Sequence, residues 1–219
     1  MPRALFEKTG NAVWVSHLDL MRVFQRAFKR AGLPLTHTQG FNPRPSVSIA
    51  LPLSVGIESC CELLDFDLEG EKVPCEEILR RLNENLVSGI RILDVYEEQR
   101  KIKHLSFLDC ELTLEYDSGI PADAEAQLRE LFGREEVIVE KRSKNGPKPE
   151  NIIPMIRKLE ILRGDTNELS IRARICCQNP TLNPMQMAAA IELYLPRLKP
   201  DFVRCRRVEV YDTEETVFR

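Results

Sequence analysis

Two histidines and an arginine are the residues of this chain best suited to chemistry. His17, His37 and Arg44 fall within one short stretch near the N-terminus. Two imidazoles, one acting as base and one as acid, with a guanidinium to hold developing charge, suffice for phosphodiester cleavage without a metal. His17 falls at the first position of an expected helix. The positive helix terminus there disfavours the imidazolium, leaving a neutral ring suited to general-base work or to a polar contact. The simpler alternative is a half-buried ring bonded to a loop carbonyl. His37 precedes a glycine-containing loop by three residues. It is expected to face solvent beside Phe41, either in chemistry or in structural and RNA contacts. The run Ser16-His17-Leu18-Asp19 is not a nucleophilic cluster. A triad needs a base bonded to both nucleophile and orienting acid, and consecutive residues at a helix start cannot supply that. Ser16 and Asp19 instead fit a helix cap.

Binding chemistry is more abundant than catalytic chemistry. Phe41, Asn42 and Arg44 lie between Gly40 and Pro45, with Pro43 stiffening the loop. An aromatic ring, an amide and a guanidinium on a rigid loop suit a stacked base and a bound phosphate. A loop that plugs its Phe into the core is the alternative. Arg22, Arg26, Lys29 and Arg30 fall at helical spacing and form a basic stripe. Residues 1–50 carry seven basic and two acidic side chains, in a chain whose formal charge is −3. That asymmetry marks an attractive face for an anionic partner, unless it is an ordinary solvated helix face. Lys141, Arg142, Lys144 and Lys148, with Arg157 and Lys158 beyond, make a second basic patch in a Gly/Pro-rich loop. Such a loop is suited to phosphate contact, and a plain solvated loop is the alternative.

These residues need a framework. The 219 residues suffice for one large domain or two small ones without metal or disulfide staples. The seven cysteines include no CxxC and no zinc-like spacing with histidine. They read as reduced thiols, several of them small buried hydrophobes. No metal and no cofactor is expected. The chain has no Walker A motif, no GxGxxG after a strand, no HExxH and no CxxxCxxC. No apolar run reaches the ~20 residues that span a membrane, and the N-terminus lacks an apolar signal segment. A cytoplasmic location follows as the expectation.

The element order predicts an α+β fold. In residues 1–100, apolar runs over 3–8 and 12–15 form a hairpin or one bulged strand. A helix starts at Ser16 and stops at Gly32, where Pro34 follows. Strands are expected over 47–51, 60–68 and 90–96, and a second helix over 74–86. Residues 98–104 are polar and mark a boundary. In residues 105–219, strands are expected over 107–116, 137–141, 152–163, 169–177 and 203–211. Helices are expected over 121–132 and 184–195, and 142–149 is an exposed loop. The first half reads β-α-β-β-α-β and the second adds one strand to the same order. Two tandem ferredoxin-like units, antiparallel sheets with helices on one face, are therefore predicted.

The stretch SHLDLMRVFQRAFKRAGLPLTHTQGFNPRPSVSIALPLSVGIES, with KNGPKPENIIPMI later, resembles the radical SAM-linked proteins, a bacterial family. Its members occur alone or as the C-terminal part of larger radical-SAM proteins. The resemblance implies a cytoplasmic bacterial protein working beside a radical-SAM partner, and such partners often modify RNA or ribosomal components. Lacking the cluster cysteines, this chain cannot itself be the radical-SAM enzyme. Three functions are consistent with the residues. One is an RNA-binding or substrate-presenting module for a radical-SAM modification enzyme. The second is a metal-free RNA-processing enzyme using His17 and His37. The third is a protein-interaction scaffold for a radical-SAM partner.

Overall fold

The computed structural model describes residues 1–98, 100–141 and 146–219. It divides into two compact units, Met1–His104 (with Arg219) and Leu105–Phe218. Four α-helices and largely antiparallel strands make up the described residues.

The first unit runs β1 (Pro2–Lys8), α1 (His17–Arg30), β2 (Val47–Ile49), β3 (Glu58–Phe66), α2 (Cys75–Asn83) and β4 (Ile90–Glu97). Its strands lie in the order β4-β1-β3-β2, every neighbour antiparallel. The 12–15 run, expected to be extended, is instead taken up by a single 3-10 turn over Gly10–Trp14. Gly89 holds that turn: its carbonyl accepts the Thr9 N–H at 2.8 Å. Below it, the buried Lys8 donates its Nζ to the carbonyls of Val13 (3.1 Å) and Val15 (2.9 Å). The approach to α1 is therefore anchored from the sheet.

α1 forms where its caps and apolar spacing agree. The Asp19 N–H donates to Ser16 Oγ at 3.2 Å, closing the N-terminal cap. At the other end Gly32 takes φ 66° and the Leu33 N–H donates to the Phe28 carbonyl at 3.0 Å. That is the glycine-terminated, left-handed helix stop. Between the caps Leu20, Phe24, Ala27 and Phe28 are buried. Phe24 meets Phe6 of β1 edge to face at 4.9 Å, and Phe28 meets Phe66 of β3 at 4.9 Å. Ile78 and Leu82 of α2 join the same core as Ala4, Leu64 and Ile92 of the sheet. One face of α1 is thus committed to packing, and the basic stripe is left outside.

The second unit runs β5 (Leu105–Glu115), α3 (Ala124–Phe132), β6 (Ile138–Lys141), β7 (Lys148–Asn151), β8 (Ile156–Arg163), β9 (Glu168–Cys176), α4 (Met185–Tyr194) and β10 (Phe202–Asp212). Its sheet order is β10-β5-β9-β8, again antiparallel throughout. β6 and β7 form a separate two-stranded ribbon. The expectation of a loop over 142–149 is corrected at its end, because Lys148 already pairs with Lys141. Pro149 is tolerated there because a ribbon strand is an edge strand. Arg142 and Lys144 lie outside the described residues.

Candidate nucleic-acid interface

Three of the N-terminal site candidates, Arg26, Lys29 and His37, meet at the C-terminal half of α1. After Gly32 the chain turns back, and residues 36–46 form a narrow hairpin. The Thr38 N–H donates to the Arg44 carbonyl at 2.9 Å and the Ser46 N–H to the Thr36 carbonyl at 2.7 Å. The Arg44 N–H also donates to Thr38 Oγ1 at 3.0 Å. These bonds lift the 39–43 tip away from the core. Phe41 is fully exposed, and Asn42 and Arg44 are exposed with it. The alternative in which Phe41 plugs the core is corrected: the hairpin bonds leave its ring outside.

Between this hairpin's base and α1 lies a groove of about 560 Å³. Gln25, Arg26, Lys29, His37 and Glu69 supply its polar groups. Phe28, Leu33, Pro34, Leu35 and Pro45 supply its apolar surface. His37 Nδ1 stands 3.7 Å from Glu69 Oε1.

The four stripe residues divide into two pairs. Arg22 is tied to Asp19 at 2.7 Å, and Arg30 donates to the Asn85 carbonyl. The hydrogen bond from Ser16 and the Arg22 guanidinium hold the Asp19 carboxyl below its usual range. Arg26 and Lys29 are exposed, and among the described residues their side chains make no hydrogen bond or ion pair. Those two are the stripe residues that line the groove.

His17 stands apart. It lies eight residues before Gln25, about 12 Å along the helix axis from the groove. Its Nδ1 is buried and has no hydrogen-bond partner among the described residues, so the expected loop-carbonyl bond at that nitrogen is absent. The groove brings His37 together with Arg26 and Lys29, and it does not include His17. Trp14 and Leu18, beside His17, are both largely exposed.

The second basic patch is less available. Lys141 Nζ donates to Glu150 Oε1 at 3.1 Å and to the Thr181 carbonyl at 2.8 Å. Lys158 pairs with Glu215 at 2.6 Å, and Arg157 lies over the Phe107 ring at 5.2 Å. Lys148 is exposed.

Sequence reasoning missed two features. Gln25 and Glu69 enter the groove only because the chain folds back beyond Gly32, and neither belongs to a motif. The second is a charge cluster in the second unit. Arg174 makes two bonds to Asp109 (2.7 and 2.9 Å) and one to Glu215 (2.6 Å), and stacks on Tyr211 at 3.6 Å. Tyr211 donates to the same Asp109 at 2.9 Å. Cross-strand register creates it: Asp109 faces Arg174 across β5 and β9. Its charges are mutually satisfied, so it reads as a brace for the sheet.

All seven cysteines are free. Burial pushes the Cys177 and Cys205 thiols up to about 12 and Cys110 higher still. Among the described residues no three His, Cys, Asp or Glu side chains group as metal ligands. No described helix is long and apolar enough to cross a membrane.

The model of a family described as an uncharacterized protein conserved in bacteria (DUF2344) matches residues 2–184, and the chain belongs to that family. No curated protein matches its sequence. Among solved structures, a chain in the crystal structure of a Cbf5-Nop10-Gar1 complex is similar in fold. The TM-score is 0.54 at 9% identity, over 95% of this chain and 48% of that one. A chain of the archaeal box H/ACA sRNP Nop10-Cbf5 complex gives 0.47 at 9% identity, over 94% and 46%. This chain therefore spans about half the length of the chains it matches.

Proposed function

We propose that this member of the uncharacterised bacterial family is an RNA-binding, substrate-presenting module that works with a radical-SAM enzyme. The observation that carries this reading is the pairing of two unsatisfied cations with a projecting aromatic hairpin. Arg26 and Lys29 line a groove at the foot of a hairpin whose Phe41 is fully exposed. Exposing a Phe ring forgoes about 1.5–3 kcal/mol of burial. A stacked base would recover part of it, and the neighbouring cations would meet the phosphates. Each unit is read as ferredoxin-like, since its sheet strands lie in the order 4-1-3-2 once the β6/β7 ribbon is left out of the count. Arg22, Arg30 and Arg44 extend the electrostatic track, and Lys148 of the ribbon, with Lys141, Arg142 and Lys144 near it in sequence, offers a second phosphate contact. The radical-SAM partner rests on the resemblance of the 16–59 stretch.

The test is ultraviolet crosslinking in cells, with the RNA sequenced and the crosslinked peptides mapped. RNA joined to peptides within residues 25–44 is the expected result. Absence of RNA, together with co-purification of a radical-SAM protein after nuclease treatment, would replace this reading with a protein scaffold.

A further inference from the structure

We infer that the groove beside α1 holds one unstacked nucleotide of the RNA and prefers guanine. The inference rests on the RNA reading above and deepens it. At about 560 Å³ the groove falls within the roughly 300–1,000 Å³ range of small-ligand sites. Its lining is amphipathic in the way a nucleotide is. Pro34 and Pro45, which are not buried, offer apolar surface for a base, and Arg26 and Lys29 offer cations for the flanking phosphates.

The base preference follows from Glu69. An ionised carboxylate only accepts hydrogen bonds. Among the four RNA bases, guanine alone carries two adjacent donors, N1–H and N2–H, on its pairing edge. Adenine sets its N1 lone pair and cytosine its N3 lone pair against the carboxylate. Uracil flanks its single N3–H with two carbonyl oxygens. Gln25 lines the same groove, and its amide is able to donate to guanine O6. A carboxylate beside His37 in a groove that also carries Arg26 and Lys29 weighs against a site for phosphate alone.

The experiment uses the full chain and fluorescence anisotropy with four eight-nucleotide RNAs, all uridine except for one central guanosine, adenosine, inosine or uridine. The guanosine strand is expected to bind about 5- to 150-fold tighter than the uridine strand, as for a good bidentate base contact. Inosine, which lacks the N2 amino group, should lose most of that gain. Glu69→Gln should bring the guanosine strand down to the affinity that the same variant shows for the all-uridine strand. Equal affinities for all four strands, with binding still weakened by Arg26→Glu, would overturn the guanine pocket and leave the RNA reading intact. Binding of none of them would overturn both.

Discussion

Glu69 Oε1 lies 3.7 Å from His37 Nδ1 on the wall of the groove that holds Arg26 and Lys29. Both side chains are about half exposed, at 51% for His37 and 57% for Glu69. Pairs this exposed contribute roughly 0–1 kcal/mol to stability. His37→Ala and Glu69→Ala should therefore each change the unfolding free energy by less than about 1 kcal/mol in urea. A larger loss from either would make the pair part of the fold's framework and not of a binding surface.

Two phenylalanines separate stability from binding. Phe24 is fully buried against Phe6, whereas Phe41 is fully exposed. Phe24→Ala should cost about 3–5 kcal/mol in chemical denaturation. Phe41→Ala should leave stability within about 0.5 kcal/mol of the native chain. It should nevertheless weaken RNA binding by the equivalent of about 1–3 kcal/mol, as for removal of a stacked base.

Gly32 and Gly89 both have positive φ, yet their replacement should not be equivalent. An alanine Cβ at Gly32 meets nothing within 4 Å, so Gly32→Ala bears only the left-handed backbone cost of about 1–2 kcal/mol. At Gly89 the added Cβ would stand 2.4 Å from the Thr9 carbonyl and 2.8 Å from Ala12 Cβ. Gly89→Ala should lower the melting temperature more and should shift the emission of Trp14, the chain's single tryptophan, whose turn it displaces. Equal melting temperatures for the two variants would contradict this.

The acid limb of stability has a local source in α2. Hydrogen bonds from Arg80, then Arg81, hold the Glu77 carboxyl down to about 2 from its usual 4.5. A depressed folded-state value gives stability that is present above about 4.5 and is lost as the pH falls through about 2. Thermal unfolding of the native chain and Glu77→Gln should show the widest gap at neutral pH. The gap should narrow through that window and close below it. A gap independent of pH would contradict the assignment.

Much of this structure could be read from local chemistry. The Ser16 cap, the Gly32 stop and the apolar face of α1 each follow from residues close in sequence. So does the separation of a basic stripe from the core. The failures involve contacts distant in sequence. The 12–15 run looks strand-like, but Lys8, Gly89 and Gly56 capture the segment as a turn: the Gly56 N–H donates to the Val13 carbonyl at 2.9 Å. β7 was hidden because Lys-Pro-Glu-Asn has no strand character by itself and is extended only by its partner β6. Glu69 and Gln25 became site residues through the fold-back after Leu33, and the Asp109–Arg174 brace through strand register. His17 and His37, near in sequence, were set apart by the length of α1.

The salt dependence of RNA binding tests the central claim most directly. Affinity of the full chain for an eight-nucleotide oligouridine is measured across ionic strength, for the native protein and for the double variant Arg26→Glu, Lys29→Glu. Single-strand binding loses about 0.7 in log–log slope per phosphate contact. The double variant is therefore predicted to bind at least about tenfold more weakly and with a slope shallower by about 1.4. Binding that ignores salt, or a double variant indistinguishable from the native chain, would contradict an RNA interface at this groove.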